Sequence, residues 1–290
     1  MRYERPQTIE AATALLAGTE AKSFVLAGGT DLLVRMQKDD FEAALIVDIK
    51  AISGMDTVTE TDDSFVIGAA VPSAALSEDA ALLAAWPGVV EAANLIGSTQ
   101  IQGRCTIVGN LCNASPAADS VPALVAAGAV ARVAGPLGTR EVPAIEIPTG
   151  PGKTSLAKGE IIEAVVLPKP EARAGDAYLR FIPRTEMDIA VVGVGVNLTL
   201  DEGGIVTAAR VALGAVGPKV ILVDAAAKTL IGSKLEDTAI EALAEACSAA
   251  STPIDDKRGT VAFRKQVVGV LARRAAQTAY TRAGGKLCLR

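Results

Sequence analysis

The chain has 290 residues, half of them hydrophobic but only 3% aromatic, with a formal charge of −5, four cysteines and no histidine. An acidic chain lacking basic clusters is a poor nucleic-acid binder. The missing imidazole excludes Ser-His-Asp chemistry, histidine-ligated zinc and a histidine-linked flavin, so any reaction must lean on a cofactor.

Residues 1–50 read as an αβαβ unit. Thr8 can cap a short helix over Ile9 to Leu16. Ser23 to Ala27 forms a buried strand, Gly28 and Gly29 turn, Thr30 to Gln37 starts a helix, and Ala44 to Ile49 is a second strand. A strand–Gly-Gly–helix turn leaves backbone N–H groups pointing out of a helix start, which suits a pyrophosphate. Asp31 would repel a phosphate. It is expected in the first helical turn, facing away, where the dipole favours it.

A hairpin-like pair follows, MDTVTE and SFVIGAA, joined at Asp62-Asp63, then helical pieces at Ser73 to Leu83 and Gly88 to Leu95 with Trp86-Pro87 between them. From Gly97 to Ala126 the chain is dense in glycine and short polar side chains: Gly97, Gly103, Gly109, Ser98, Thr99, Thr106, Asn110, Asn113 and Ser115. The glycines let main chain approach a ligand, and buried polar groups need hydrogen-bond partners. A bound nucleotide cofactor would supply them. Asp119 or Ser120 caps a helix to about Ala127, and short strands follow near Val130 and Val142. Thr149 to Lys153 is a Gly/Pro surface loop without Walker spacing, and Glu160 to Pro168 is a strand.

The charged, Pro/Gly-punctuated segment Pro170 to Asp176 marks a domain boundary, giving domains over 1–175 (lobes of about 1–54 and 55–175) and 176–290. Three strands follow, in AYLRFI, IAVVGVGVNLTL and VTAARVALGAV, with a hairpin turn at Asp201 to Gly204. Helices near Ala225 to Ile231, Leu235 to Ala250 and Gly259 to Thr281 complete an α+β chain. The basic residues of the last segment, Arg264, Lys265, Arg273, Arg274 and Arg282, read as a solvated face. No apolar run reaches the ~18 residues of a membrane span, MRYERPQTIE lacks a signal-peptide core, and Cys105, Cys112, Cys247 and Cys288 show no CxxC spacing. The expected protein is soluble and cytoplasmic, with neither a metal cluster held by this chain alone nor a disulfide framework.

From the residues alone, two separate glycine-rich loops offer backbone donors, and neither carries a lysine for phosphate. Two loops suit a dinucleotide better than a mononucleotide, and the absence of GxGxxG argues against a Rossmann site.

The motifs carry a resemblance. AGGTDLL (Ala27 to Leu33), TIVGN (Thr106 to Asn110), NASPAADSVPAL (from Asn113), TGPGKT (Thr149 to Thr154) and EMDIAVV (Glu186 to Val192) stand in the order found in the FAD-binding medium subunit of molybdenum hydroxylases, the carbon monoxide dehydrogenase and xanthine dehydrogenase group. The chain resembles that family over nearly its whole length. The resemblance implies a two-lobed FAD-binding domain of the vanillyl-alcohol-oxidase/PCMH type, then a C-terminal domain with a three-stranded antiparallel sheet and helices. It implies that Ala27, Gly28, Gly29, Thr30, Asp31, Leu32 and Leu33 wrap the FAD pyrophosphate. Thr106, Ile107, Val108, Gly109 and Asn110 would form the second FAD loop, with Ser115 nearby. Asp119 would accept from the adenosine ribose, Ile96 would stand beside the isoalloxazine ring, and Ile162 and Arg180 would lie near the cofactor.

Two positions depart from the family pattern. Val108 replaces a glycine; valine at φ > 0 would be strained, so Val108 is expected in the β region, still presenting its N–H. Arg180 stands where relatives often have lysine, which keeps the charge and changes donor geometry.

The resemblance further implies two partners, a large molybdopterin-binding subunit and a small subunit with two [2Fe–2S] clusters, in a dimer of heterotrimers. Electrons would pass from the clusters through FAD to NAD⁺, oxygen or a quinone. The alternative is a stand-alone FAD-dependent oxidoreductase of the same superfamily, for which Tyr178, Ser98 or a carboxyl would have to supply an acid. A third reading is an assembly subunit that has lost its flavin, encouraged by Val108 alone.

Overall fold

The computed structural model describes residues 1–38, 42 and 45–287. The first fifty residues build a small parallel sheet with two helices. Its elements are β1 (Arg2–Glu4), α1 (Ile9–Ala17), β2 (Ser23–Leu26), α2 (Leu32–Met36) and β3 (Leu45–Asp48), with strand order β1-β3-β2. Thr8 caps α1 as its sequence suggests, accepting from the Ala11 N–H at 3.2 Å. Only three residues long, β1 is too short to show a period-2 pattern in the sequence. The strand expected to be buried, β2, is half exposed, with Val25 on its outer side. The physical reason is that β2 is an edge strand, covered on one face only. Ala44, the expected start of β3, lies outside the described residues.

A second sheet is wholly antiparallel, in the order β4-β5-β10-β6-β7. It comprises β4 (Val58–Glu60), β5 (Ser64–Gly68), β6 (Val130–Gly135), β7 (Gly138–Pro143) and β10 (Ile161–Pro168). Between β5 and β6 run six short helices: α3 (Ser73–Glu78), α4 (Ala80–Ala85), α5 (Pro87–Asn94), α6 (Thr99–Gln102), α7 (Ile107–Cys112) and α8 (Ser120–Ala126). Pro87 starts α5 at the position where its missing N–H costs nothing. Trp86 is buried, and its indole N–H donates to the Pro168 carbonyl at 2.8 Å, fixing α5 to the end of β10. The expected loop at Thr149 is instead a small hairpin, β8 (Pro148–Gly150) with β9 (Lys153–Thr154).

The C-terminal part is a four-stranded antiparallel sheet, β11 (Ala174–Phe181), β12 (Val192–Leu200), β13 (Val206–Gly214) and β14 (Ile221–Leu222). The sequence suggested three strands. The fourth is only two residues long, too short for any period-2 pattern, and exists because β13 offers it a free edge. Helices α9 (Asp224–Leu230), α10 (Asp237–Ala250) and α11 (Val261–Arg282) cover one face. Their core is Val, Leu and Ala with Tyr280, whose hydroxyl donates to the Gly204 carbonyl at 2.7 Å. The basic residues of α11 are not all solvated. Arg264 is buried, donating to the Val191 carbonyl and to Asp256, each at 2.7 Å. Arg282 pairs with Glu91 of α5.

The other face of this sheet lies on the first part of the chain. α8 packs on β12 and β13, α5 packs on β11, and the Arg210 guanidinium donates to the Val125 carbonyl at 3.0 Å. Asp176 of β11 is buried there, accepting from the Gly88 and Val89 N–H groups at 3.0 Å each. Burial pushes its carboxyl up to about 6, against the opposing pull of those two N–H donors and Arg282. A carboxyl raised in the folded state binds its proton more tightly folded than unfolded. This contribution to stability is fully present below about pH 4 and is lost as pH rises through 6, about 3 kcal/mol in all. Asp176→Asn is expected to remove that slope from a plot of urea-unfolding free energy against pH between 4 and 7.

Candidate functional site

A cleft of about 290 Å³ opens where the first two sheets meet. It runs along β2, from Ser23, Phe24 and Val25 to the turn at the strand's carboxyl end. One wall is the turn after β2 and the start of α2: Ala27, Gly28, Gly29, Thr30, Asp31, Leu32 and Arg35. The opposite wall is Cys105, Thr106, Val108, Gly109, Asn110, Cys112 and Asn113, from the start and body of α7. Ile96, Leu156, Glu160, Ile161 and Ile162 complete it. The β10 register shifts between Ile162 and Ala164, a bulge at the cleft edge.

Residues distant in sequence hold the first wall in place. Asp48, buried at the end of β3, accepts from Tyr3 at 2.5 Å and pairs with Lys50 at 2.7 Å; Lys50 also donates to the Ala27 carbonyl at 3.1 Å. Gly28 then passes so close to the second wall that a Cβ on it would stand 2.0 Å from the Arg104 carbonyl oxygen. Gly29 has φ +80°, a conformation that favours glycine. Across the cleft, Asn113 donates to Asp31 at 3.3 Å.

Both walls present unpaired backbone donors. Among the described residues, neither the N–H groups of Gly28 to Leu32 nor those of Ile107 and Val108 donate to a protein acceptor. The next donor of α7, Gly109 N–H, is taken by the Thr106 hydroxyl at 2.8 Å. Two sets of free donors at two facing helix starts suit an anion shared between them.

The structure places most of the expected site residues together, and some elsewhere. Ala27 to Leu32, Ile96, Thr106, Val108, Gly109, Asn110 and Ile162 line the cleft. Leu33 is exposed at its margin and Ile107 is fully buried beneath it. Ser115 accepts from the Ala117 N–H in a local turn, away from the cleft. Asp119 and Arg180 form a nearly buried ion pair at 2.7 Å. Arg180 also donates to the Leu95 carbonyl at 2.8 Å, and Tyr178 donates to Asp119 at 3.3 Å. Burial raises the Asp119 carboxyl, outweighing the Arg180 charge beside it. Asp119 stands at the N-cap of α8 without a side-chain capping bond, because its oxygens face Arg180 and Tyr178.

Three local expectations are corrected. Val108 is not in the β region: it is the second residue of α7, whose N-terminus Thr106 caps. A helical valine needs no positive φ, and its N–H stays free at the helix start. Asp31 does not face away; it lines the cleft, makes no capping bond, and its carboxyl is raised by partial burial despite Arg35. Gly97 and Gly103 do not reach the cleft, Gly97 packing on Ile101 instead. Sequence reasoning also missed the cation. Arg35 sits one helical turn beyond Asp31, spacing that puts both on one face, and its guanidinium lies 5.2 Å from the Phe24 ring centre.

A cleft with two rows of free N–H groups, one arginine and an apolar wall of Ile96, Ile161 and Ile162 defines a protein that holds an anionic nucleotide cofactor. Residues 1–170 match the family described as FAD binding domain in molybdopterin dehydrogenase, and residues 177–279 match the CO dehydrogenase flavoprotein C-terminal domain. The chain belongs to this family, the FAD-binding medium subunits of molybdenum hydroxylases such as carbon monoxide dehydrogenase and xanthine dehydrogenase. It is 32% identical over 288 residues to the xanthine dehydrogenase FAD-binding subunit of Escherichia coli O157:H7, covering 98% of both chains. It is 32% identical over 281 residues to the carbon monoxide dehydrogenase medium chain of Afipia carboxidovorans, covering 97% of both. Among solved structures, reconstituted CO dehydrogenase from Oligotropha carboxidovorans superposes with TM-score 0.92 at 31% identity, over 97% of this chain and 98% of that one.

Two substitutions test the site. Gly28→Ala forces the walls apart and is expected to weaken FAD binding about ten-fold or more, read by flavin-fluorescence titration. Asp119→Ala leaves Arg180 buried without its counter-charge and should cost about 3–5 kcal/mol in urea unfolding.

Proposed function

We propose that the chain holds FAD with its diphosphate between the α2 and α7 starts and relays electrons from partner [2Fe–2S] clusters to an external acceptor. The convergence of the two rows of free N–H groups on one cleft carries this reading. In it, the N–H groups of Gly28, Gly29 and Thr30 and those of Ile107 and Val108 would hold the diphosphate, and Arg35 would offset its charge. Asp31 and Asn110 shape the rim, Leu33 covers the edge, and Ile96 and Ile162 meet the flat ring system. Arg180, paired with Asp119, acts from behind the wall by holding Leu95, and Ser115 fixes the turn after α7.

When bound, FAD supplies the exchange between one-electron and two-electron transfer, while the protein supplies binding, orientation and electrostatics. No side chain of the cleft need act as acid or base, which fits a chain without histidine. The finer reading of the fold is a two-lobed FAD domain of the vanillyl-alcohol-oxidase/PCMH type over 1–175, with lobes of about 1–54 and 55–175, and a C-terminal domain over 176–290. The two hydrophobic cores, one on each side of β11, support that division. The partners are a large molybdopterin-binding subunit and a small [2Fe–2S] subunit in a dimer of heterotrimers. Among the described residues no helix is long and apolar enough to cross a membrane, and Cys105, Cys112 and Cys247 are free thiols, which supports a cytoplasmic location.

Co-expression with its neighbouring reading frames should yield a complex carrying molybdenum and iron. Stripping FAD should leave substrate able to reduce the clusters but abolish transfer to the acceptor, and added FAD should restore it. Turnover of an organic substrate by this chain alone would overturn the relay in favour of a self-sufficient oxidoreductase.

A further inference from the structure

One strand of the C-terminal sheet grips one helix at both ends. Asp176 and Arg180 stand four residues apart on β11, on the same face, about 13 Å along the strand. Gly88 and Leu95 stand seven residues apart along α5 and its C-cap, about 10 Å. Asp176 accepts from the Gly88 and Val89 N–H groups at 3.0 Å each, and Arg180 donates to the Leu95 carbonyl at 2.8 Å. A carboxylate thus meets the positive end of the helix and a guanidinium the negative end.

The fit at the first end is close. Gly88 has an ordinary backbone conformation, yet a Cβ on it would lie 2.6 Å from Asp176 Oδ2 and 2.8 Å from the Ala177 backbone. Any side chain there would lift α5 off β11. Burying a carboxylate here costs stability, which an apolar residue would avoid. The residue after the grip is Ile96, in the cleft wall, whose carbonyl accepts from the thiol of Cys105, another wall residue, at 3.8 Å.

We infer that Asp176 is a positioning residue for the flavin: it seats α5 on the C-terminal sheet and so fixes Ile96 against the bound cofactor. The inference rests on the reading that the cleft holds FAD with Ile96 in its wall. Asp176 itself touches nothing in the cleft. The charged groups facing it are Arg282 of α11, which donates to the Asp176 carbonyl at 2.9 Å, and Glu91 of α5, which pairs with Arg282. Asn197, opposite on β12, is uncharged.

The test uses the full-length chain loaded with FAD, read by visible circular dichroism of the flavin. Asp176→Asn should hold FAD within about three-fold of wild-type affinity, because the diphosphate donors are untouched. Its flavin dichroism should fall to about half. The wild-type signal should titrate near pH 6, where the Asp176 carboxyl gains its proton, and the Asn variant should show no such transition. A dichroism spectrum unchanged in Asp176→Asn at every pH overturns the inference. Ile96→Ala separates the two readings. An unchanged spectrum there sinks the assignment of the cleft to the flavin. A changed spectrum there beside an unchanged Asp176→Asn sinks the positioning role alone.

Discussion

The site depends on a backbone-to-backbone approach between segments almost eighty residues apart. Gly28 meets the Arg104 carbonyl at a distance that leaves no room for a Cβ. That contact brings the α2 start and the α7 start onto one cleft. Lys50, bound to the Ala27 carbonyl and to Asp48, keeps the turn from relaxing. The donors that result are main-chain N–H groups, so they are fixed by the fold and need little reorganisation when an anion arrives.

The C-terminal sheet plays no direct part in that cleft, yet it braces it. Arg180, Asp176, Arg210 and Arg282 each reach across to main chain or side chain of the first part of the molecule. Asp176 and the Arg180 side chain are buried while Arg210 and Arg282 stay exposed, so the seam combines desolvated with solvated charged links. The carbonyls of Asn94, Leu95 and Ile96, left over at the end of α5, are taken in turn by Gln102, Arg180 and Cys105. That segment is therefore tied on three sides just where it enters the cofactor wall.

What could be read in the sequence was mostly local. The Thr8 cap, the Gly28-Gly29 turn, the β4–β5 hairpin and the Asp201 to Gly204 turn each depend on a few consecutive residues, and the structure bears them out. Most of the cleft residues stand in two short motifs for the same reason. The misses have other causes. Val108 was read against a family glycine, whereas Thr106 three residues before Gly109 was the signal for a helix start. Asp119 looked like a cap because its partner, Arg180, is 61 residues away on another sheet, beyond any local pattern. The two residues of β14 carry no period at all, and the outward face of β2 follows from its place at a sheet edge.

Asp176 has one more consequence in a chain without imidazole. In most proteins of this size several side chains exchange protons around neutrality, and their signals overlap. Here desolvation pushes the thiols of Cys112 and Cys247 up to about 12. Burial raises the Asp31, Asp119 and Asp176 carboxyls toward the neutral range, Asp176 to about 6. Proton uptake accompanying cofactor entry, measured by calorimetry in buffers of differing ionisation heat, therefore reads Asp31 in the cleft together with Asp176 at the seam between the two halves of the molecule.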